Sequence, residues 1–209
     1  MSKSPDTLQF MSELLSRLGN AASTQTRATE KLLVSRPAPD FEMDSTKDLE
    51  TLKEKVRLSD YSGRWLVLMF YPLDFTFVCP TELTTFSDRY QDFQQIGADI
   101  LGISIDSVYS HRAWLQTPRS KNGVEGLRFP LAADITKQVS RDYEVLLEDK
   151  GIALRGLFII DPEGVLRYKV VQDLNIGRSA EEVLRIIRAL QTGSLCPAEW
   201  RPGQKTLKG

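Results

Sequence analysis

The sequence predicts an α/β domain in which helices cover a central β-sheet. Two near-continuous apolar runs, Trp65–Phe70 and Ile100–Asp106, have the composition of strands that are buried on both faces of a sheet. Apolar residues at helical spacing follow each run, and a hairpin and one more helix complete the pattern. This order is typical of a sheet covered by helices, and the length of 209 residues suits one such domain.

The first part of the chain carries an amphipathic stretch that precedes the domain. Apolar residues recur at helical spacing between Leu8 and Leu18, and a Gly-Asn stop signal follows them. The small polar residues after that signal indicate a flexible connection, so we assign residues 1–34 to an N-terminal helix and a connection. Pro37 and Pro39 predict an extended entry into the domain, because proline disfavours helical backbone at the residue before it.

Short local signals place the other elements of the domain, which we predict to span residues 35–192. A polar turn, Asp161–Gly164, joins the last two strands and predicts a hairpin. Asp134 and Ser179 are residue types that cap helices, and Glu182 follows Ser179 at the spacing of a capping box. The predicted strands are Val56–Leu58, Trp65–Tyr71, Ile100–Asp106, Leu157–Ile160 and Val165–Val170. The predicted helices are Cys79–Phe93, His111–Leu115, Asp134–Tyr143 and Ser179–Leu190.

The composition argues against several classes of partner. Lys and Arg total 27 against 28 Asp and Glu, so no overall charge excess indicates binding to nucleic acid or to an anionic membrane. No apolar run approaches the roughly 20 residues that a membrane-spanning helix needs. The first residues carry Asp6 and Glu13 and lack the apolar core of a secretory signal, so we expect a cytoplasmic protein.

The chain contains two cysteines, Cys79 and Cys196, which are far apart in the sequence. This number does not match the dense disulfide framework of a small secreted domain. In a reducing compartment, such a pair suits reversible chemistry better than a permanent crosslink. We assign residues 193–209, which carry Cys196, to a C-terminal segment that follows the domain.

Cys79 lies at the predicted start of a helix, directly after a buried strand. Pro72 marks a bend at the end of the strand, and Pro80 can occupy the first helical turn, where its missing N–H costs nothing. Glu82 is expected to favour the same helix end by its negative charge. Unpaired backbone N–H groups and the helix dipole favour a thiolate at this position, and the thiolate is the reactive form of cysteine. Cys79 is therefore the candidate nucleophile.

Two cysteine motifs connect the chain to a known family. The first is Pro-x-x-x-Thr-x-x-Cys at Pro72, Thr76 and Cys79, and the second is Leu-Cys-Pro-Ala-Glu-Trp-Arg-Pro-Gly at Leu195–Gly203. Both motifs resemble those of the peroxiredoxins, in particular the typical 2-Cys group of the AhpC/TSA family. The resemblance extends from about residue 35 to residue 205 and includes two further segments, Gly151–Asp161 and Gly177–Ser179.

The resemblance implies a thioredoxin-like fold and a thiol peroxidase that reduces hydrogen peroxide and organic hydroperoxides. Cys79 would be the peroxidatic cysteine, and its sulfenic acid would condense with Cys196 as the resolving cysteine. A thioredoxin-like reductant would then open the disulfide. In the family the resolving cysteine comes from the neighbouring subunit of a homodimer, and dimers often form decamers. From the sequence alone, loop entropy permits an intramolecular or an intermolecular disulfide.

The resemblance also assigns roles around Cys79. Acidity alone does not make a fast peroxidase, because a more acidic thiol is a weaker nucleophile. Fast reaction also needs hydrogen-bond donors directed at the leaving oxygen of the peroxide, where negative charge builds up. The resemblance implies that Arg155 and the Thr76 hydroxyl are these donors. Pro72 would shield the sulfur from bulk water. Glu82 would bridge Arg155 and Arg178 through paired hydrogen bonds.

Two other activities stay open at this point. A general thiol-disulfide oxidoreductase of the same fold usually carries Cys-x-x-Cys, whereas Val78 and Pro80 flank a solitary Cys79. A holdase chaperone, in which an oligomeric ring binds unfolded proteins through exposed apolar surface, is the second alternative and is compatible with catalysis.

His111 is expected to be a helix surface or packing residue rather than a partner of Cys79. Without a histidine cluster, we expect no metal site and no cofactor.

Overall fold

The computed structural model describes residues 31–208, and from Leu32 onward these belong to one compact unit. The N-terminal helix predicted between Leu8 and Leu18 lies outside the described residues. The strands are β1 (Glu42–Ser45), β2 (Lys55–Arg57), β3 (Trp65–Phe70), β4 (Ala98–Ser104), β5 (Leu131–Ala133), β6 (Leu146–Leu147), β7 (Ile152–Ala153), β8 (Arg155–Ile160) and β9 (Leu166–Gln172). The helices are α1 (Val78–Asp88), α2 (Tyr90–Gln95), α3 (Val108–Leu115), α4 (Gln138–Asp142) and α5 (Ala180–Gln191), with short 3-10 turns at Leu58–Tyr61 and Arg119–Lys121.

A seven-stranded mixed sheet forms the centre of the domain, in the order β2-β1-β5-β4-β3-β8-β9. β3 pairs in parallel with β4, and β4 in parallel with β5, whereas the other neighbouring strands are antiparallel. β6 and β7 form a separate two-stranded sheet. The predicted central mixed sheet is confirmed. None of the helices in residues 31–208 is long and apolar enough to cross a bilayer.

β3 lies inside the sheet and contributes to the core on both faces. Leu66, Leu68 and Phe70 belong to one buried apolar cluster, whereas Val67 and Met69 belong to the cluster on the opposite face. This alternation follows from the two-residue period of a strand. The second cluster also contains the apolar faces of α1 and α5. The end of β3 and the start of α1 are therefore anchored in the centre of the molecule.

Several predicted elements have different boundaries in the structure, and for two of them the local geometry gives the reason. The predicted helix Cys79–Phe93 is two helices, α1 and α2, because the backbone leaves the helical conformation at Arg89. The predicted strand Ile100–Asp106 is β4, which ends at Ser104. There the Ser104 hydroxyl donates to the Asp106 carboxylate and accepts from the Asp106 N–H. This side chain to backbone pairing competes with the sheet and turns the chain away from it.

The predicted helix Asp134–Tyr143 is much shorter in the structure. Lys137 has left-handed backbone, with φ 61°, directly before α4, so the residues before it form a turn. The Asp134 carboxylate nevertheless accepts the N–H groups of Val139 at 3.3 Å and Ser140 at 2.7 Å. The predicted capping by Asp134 is confirmed, although the residue lies outside the helix that it caps.

The predicted hairpin and the predicted final helix are confirmed. β8 and β9 pair antiparallel around the turn Asp161–Gly164, and the Ser179 hydroxyl accepts the Glu182 N–H at the start of α5. The sequence does not predict β1, β5, β6 and β7. These strands have four residues or fewer, and none of them contains the apolar-polar-apolar alternation that predicts Val56–Leu58.

Candidate active site

The candidate nucleophile lies in the first turn of α1. Cys79 is the second residue of that helix and is 1% exposed, and Pro80 follows it in the same turn, as predicted. Glu82 lies in the second turn, so the prediction that its charge favours the helix start is wrong. Its side chain instead extends into a buried group of charges. The local sequence therefore places a buried thiol next to backbone N–H groups that have no partner within the helix.

Arg155 brings a positive charge to the sulfur of Cys79. The residue begins β8 and is 3% exposed, and its Nη1 lies 3.5 Å from Cys79 Sγ. The same nitrogen donates to Glu82 Oε2 at 2.5 Å, and Nε donates to the Leu174 carbonyl at 2.8 Å. Contacts on both sides of the guanidinium fix its plane relative to the sulfur.

Arg178 holds the other side of the Glu82 carboxylate. Its backbone N–H and its Nε both donate to Glu82 Oε1 at 2.7 Å, and Nη2 donates to Oε2 at 3.1 Å. Nη1 donates to the carbonyls of Phe70 at 2.8 Å and Gly156 at 2.5 Å. Two guanidinium groups and one carboxylate carry a net charge of +1, so an anionic sulfur on Cys79 would complete the charge balance of this buried group.

The loop between β3 and α1 carries the other two predicted site residues. Pro72 is buried at the end of β3, and Thr76 is half-buried. The Thr76 hydroxyl donates to the Leu73 carbonyl at 3.0 Å. The resemblance implies that this hydroxyl is a donor to the leaving oxygen, but in the structure its hydrogen is already used. Its two lone pairs are what it can offer to a bound molecule.

A buried polar cluster that the sequence does not predict holds this loop. The Asp74 carboxylate accepts the Tyr71 hydroxyl at 2.9 Å and the Ser110 hydroxyl at 2.8 Å, and it lies 2.9 Å from His111 Nδ1. The other ring nitrogen of His111 faces the Ala132 carbonyl at 3.3 Å. Burial, with the charge of Asp74, raises the pKa of Tyr71 well above its ordinary value, so this hydroxyl stays a donor.

His111 takes the second of the two positions expected of it, that of a packing residue. It is fully buried on α3 and contacts a polar cluster rather than Cys79. It contacts Asp74, which precedes Cys79 by five residues, and so connects the loop between β3 and α1 to α3 and β5. Asp74 and His111 are 37 residues apart, so only the fold shows that they are neighbours.

Cys196 lies just after α5. Its Sγ is 3.5 Å from the Thr192 hydroxyl and 3.8 Å from the Ala189 carbonyl at the end of that helix. The side chain is half-buried, and both Cys79 and Cys196 are free thiols. The structure thus brings Arg155 to Cys79 and connects Arg155 through Glu82 to Arg178, whereas Cys196 lies at the end of α5.

Comparisons with known proteins identify the family. The family model described as the AhpC/TSA family matches residues 34–169. The chain belongs to the AhpC/TSA family. A putative peroxiredoxin of Bacillus subtilis (strain 168), YkuU, is 52% identical over 84% of this chain and 98% of its own length. Peroxiredoxin-2 of Macaca fascicularis is 51% identical over 84% of this chain and 89% of its own.

A solved structure supports the same assignment. The reduced 2-Cys peroxiredoxin of Plasmodium vivax matches with a TM-score of 0.81 and 38% identity, over 85% of this chain and 93% of that chain. The fold is the thioredoxin-like fold of the peroxiredoxins, as the sequence predicts. The protein is an enzyme, and as a peroxiredoxin it is a thiol peroxidase. Peroxides and thioredoxin-type reductants are the substrates of this class.

Proposed function

We propose that Cys79 is the peroxidatic residue and that it reduces hydrogen peroxide and organic hydroperoxides. Its thiolate attacks one peroxide oxygen, so that an S–O bond forms while the O–O bond breaks. The sulfur is oxidised by two electrons to a sulfenic acid, and the second oxygen takes a proton and leaves as water or an alcohol. The observation that carries this proposal is the 3.5 Å approach of Arg155 Nη1 to Cys79 Sγ in a buried site.

Arg155 is positioned to stabilise the transition state of this step. Negative charge builds on the leaving oxygen, and a fixed cationic donor stabilises that charge most where water is excluded. Glu82 holds the guanidinium, so little reorganisation is needed during the reaction. The Thr76 oxygen, with its own hydrogen on the Leu73 carbonyl, can accept the hydrogen of the peroxide and orient it. Pro72 shields the thiolate and the sulfenic acid from bulk water.

Cys196 is the resolving cysteine in this proposal. Its thiolate attacks the Cys79 sulfur, an S–S bond forms, the S–O bond breaks, and the hydroxyl takes a proton and leaves as water. A thioredoxin-like reductant then opens the disulfide by thiol exchange, and its own dithiol is oxidised. We propose a cytoplasmic location because this cycle needs a compartment that supplies reduced thiols.

Two surfaces support assembly into a homodimer and further into a decamer. β9 is an edge strand of the described sheet, so its outer backbone groups can pair with a second copy of the chain. Phe75, Phe77 and Tyr109 are exposed apolar side chains at the start of α1 and on α3, and their burial would favour association of dimers. In this assembly, Cys196 of one subunit resolves Cys79 of its neighbour.

The decisive experiment adds one equivalent of hydrogen peroxide to the reduced protein and follows intact mass and non-reducing gels. We expect a disulfide-linked dimer in the wild type and no dimer in Cys79→Ser or Cys196→Ser. In Cys196→Ser, a sulfenic acid reagent should label Cys79. An intramolecular disulfide would retain the peroxidase and overturn the dimer. An unreactive Cys79 would overturn the proposal.

The exposed aromatic side chains near α1 also favour a second activity, a holdase that binds unfolded proteins on apolar surface. This activity does not need the thiol. The Cys79→Ser variant should therefore suppress aggregation of an unfolding test protein as well as the wild type does. Loss of this effect in the variant would tie it to catalysis and contradict a separate holdase function.

A further inference from the structure

We propose that Arg185 is a positioning residue that holds the Cys196 segment, residues 195–207, against α5 and thereby limits the rate at which Cys196 reaches Cys79. This inference rests on the proposed function, because it concerns the resolving step. It adds a half-buried residue of α5 that belongs to neither cysteine motif.

All three guanidinium nitrogens of Arg185 donate hydrogen bonds, two to a residue of α5 and one to the Cys196 segment. Nε and Nη2 each donate to one oxygen of Glu182 at 2.7 Å, which forms a paired contact within the helix. The remaining nitrogen, Nη1, donates to the carbonyl of Trp200 at 3.0 Å. The hydrogen bonds from Arg185 hold the pKa of Glu182 below its ordinary value, so the pair stays charged at neutral pH.

Hydrogen bonds within the Cys196 segment connect its two ends and hold Trp200 between them. The Trp200 indole is 4% exposed and donates to the Gln204 carbonyl at 3.1 Å, and the Leu207 N–H donates to the Leu195 carbonyl at 2.7 Å. A segment with such internal contacts moves as a unit. A hydrogen bond from α5 to its centre at Trp200 therefore restrains Cys196 as well.

The resolving reaction requires this unit to move. Cys79 is buried in α1, and Cys196 Sγ rests against Ala189 and Thr192 at the end of α5. A disulfide needs the two sulfurs about 2.05 Å apart, so Cys196 must leave its contacts before the bond forms. The rate of disulfide formation is then proportional to the population in which the segment is open. A bond that stabilises the closed form lowers that population.

Arg185→Met tests the inference, because methionine retains an apolar stem and removes every donor. Arg188→Met is the matched control, since Arg188 lies three residues further along α5 and, with Arg185, lines a surface cleft that Arg201 and Pro202 also line. Single-turnover kinetics with hydrogen peroxide separate Cys79 oxidation from disulfide formation. We expect Arg185→Met to leave Cys79 oxidation unchanged and to accelerate disulfide formation about tenfold, the effect of losing one charge-assisted hydrogen bond. Arg188→Met should match the wild type in both steps.

Arg185→Lys distinguishes geometry from charge. One ammonium group cannot hold Glu182 in a paired contact and also reach Trp200 as the guanidinium does. This variant should therefore keep most of the acceleration. Full recovery of the wild-type rate in Arg185→Lys would show that charge alone matters and would overturn the proposed contact.

Hydrogen exchange on the reduced protein gives a readout that needs no peroxide. Amides of residues 195–207 should exchange about tenfold faster in Arg185→Met than in the wild type, because that segment opens more often. Unchanged exchange, or slower disulfide formation, would overturn the inference. If the wild type forms no disulfide between Cys79 and Cys196, the proposed function fails, and the exchange result still decides whether Arg185 holds the segment.

Discussion

At the scale of single residues, three buried charges form one connected group, which reaches Cys79 through Arg155. Arg155 and Arg178 share the two oxygens of Glu82, and all three side chains are almost completely buried. A buried ion pair adds little net stability over apolar side chains, but removing one partner leaves a charge uncompensated where water cannot solvate it. Glu82 therefore has a double role, in the stability of the fold and in the position of Arg155.

We expect Glu82→Gln to lower the free energy of unfolding by about 3–5 kcal/mol, because two buried guanidinium groups would share one neutral amide. It should also slow the oxidation of Cys79 by hydrogen peroxide at least about tenfold, since Arg155 loses the partner that holds it beside the sulfur. Urea denaturation and stopped-flow kinetics measure the two effects. Glu181→Gln, at an exposed position in α5, should change the free energy of unfolding by less than about 0.5 kcal/mol. A wild-type oxidation rate in Glu82→Gln would contradict the positioning role.

The site residues differ in how far the sequence reveals them. Cys79 is recognisable from local signals, because a buried strand, a bend and Pro80 define the helix start. Arg155 lies 73 residues from Glu82, and only the family resemblance relates the two. Nothing in the sequence relates Asp74 to His111, because polar residues in a loop and on a helix are usually solvated. Burial of that pair is a property of the packed domain.

At the scale of elements, α4 shows how a buried carboxylate sets the start of a helix. Asp134 lies in the turn before the helix and accepts two of its first N–H groups. Burial raises the pKa of this carboxyl above its ordinary value, although the hydrogen bonds from Ser140 and Val139 oppose the shift. The native state thus holds the Asp134 proton more tightly than the unfolded chain does.

This difference predicts a pH dependence of stability. The unfolded aspartate titrates near pH 3.9, so the stabilising contribution of protonated Asp134 is complete below about that pH. It is lost as pH rises through the higher native pKa, because the unfolded state then releases the proton more readily. Asp134→Asn cannot ionise. The free energy of unfolding of the wild type minus that of Asp134→Asn should therefore fall as pH rises from about 4 to 7, measured by urea denaturation.

Glu148→Gln provides a control of opposite sign. The hydrogen bond from Arg141 lowers the pKa of Glu148, so its contribution is present at neutral pH and is lost as pH falls. The free energy of unfolding of the wild type minus that of Glu148→Gln should therefore fall as the pH is lowered. A difference for Asp134→Asn that is flat, or that rises with pH, would contradict the burial argument.

At the scale of the whole molecule, exposed apolar side chains lie next to the active site. Phe77 is 82% exposed directly before α1, and Phe75 and Tyr109 are also exposed. Burying a phenylalanine side chain contributes about 1.5–3 kcal/mol, and a ring would repeat this contact at each interface between dimers. Assembly through this surface would therefore also restrain the start of the helix that carries Cys79.

We expect Phe77→Ser to convert a decamer into dimers at micromolar concentration, because it removes the largest exposed apolar contribution to the proposed interface. Sedimentation velocity of the reduced protein measures the change. Ile135→Ser is the control, since Ile135 is 56% exposed and lies after β5, outside that interface. A Phe77→Ser variant that remains decameric would contradict the proposed interface between dimers. Dissociation of Ile135→Ser to the same extent as Phe77→Ser would also contradict it.

The sequence by itself determines the fold class, the long central strands, the hairpin and the position of Cys79. These features depend on local signals, such as continuous apolar runs, turn residues and helix caps, which act over a few neighbouring residues. The tertiary structure alone decides strands β1, β5, β6 and β7, the burial of His111 against Asp74, and the contact of Arg185 with Trp200. Each of these joins residues that are distant in the chain or have no local pattern, and their proximity arises only when the whole core packs.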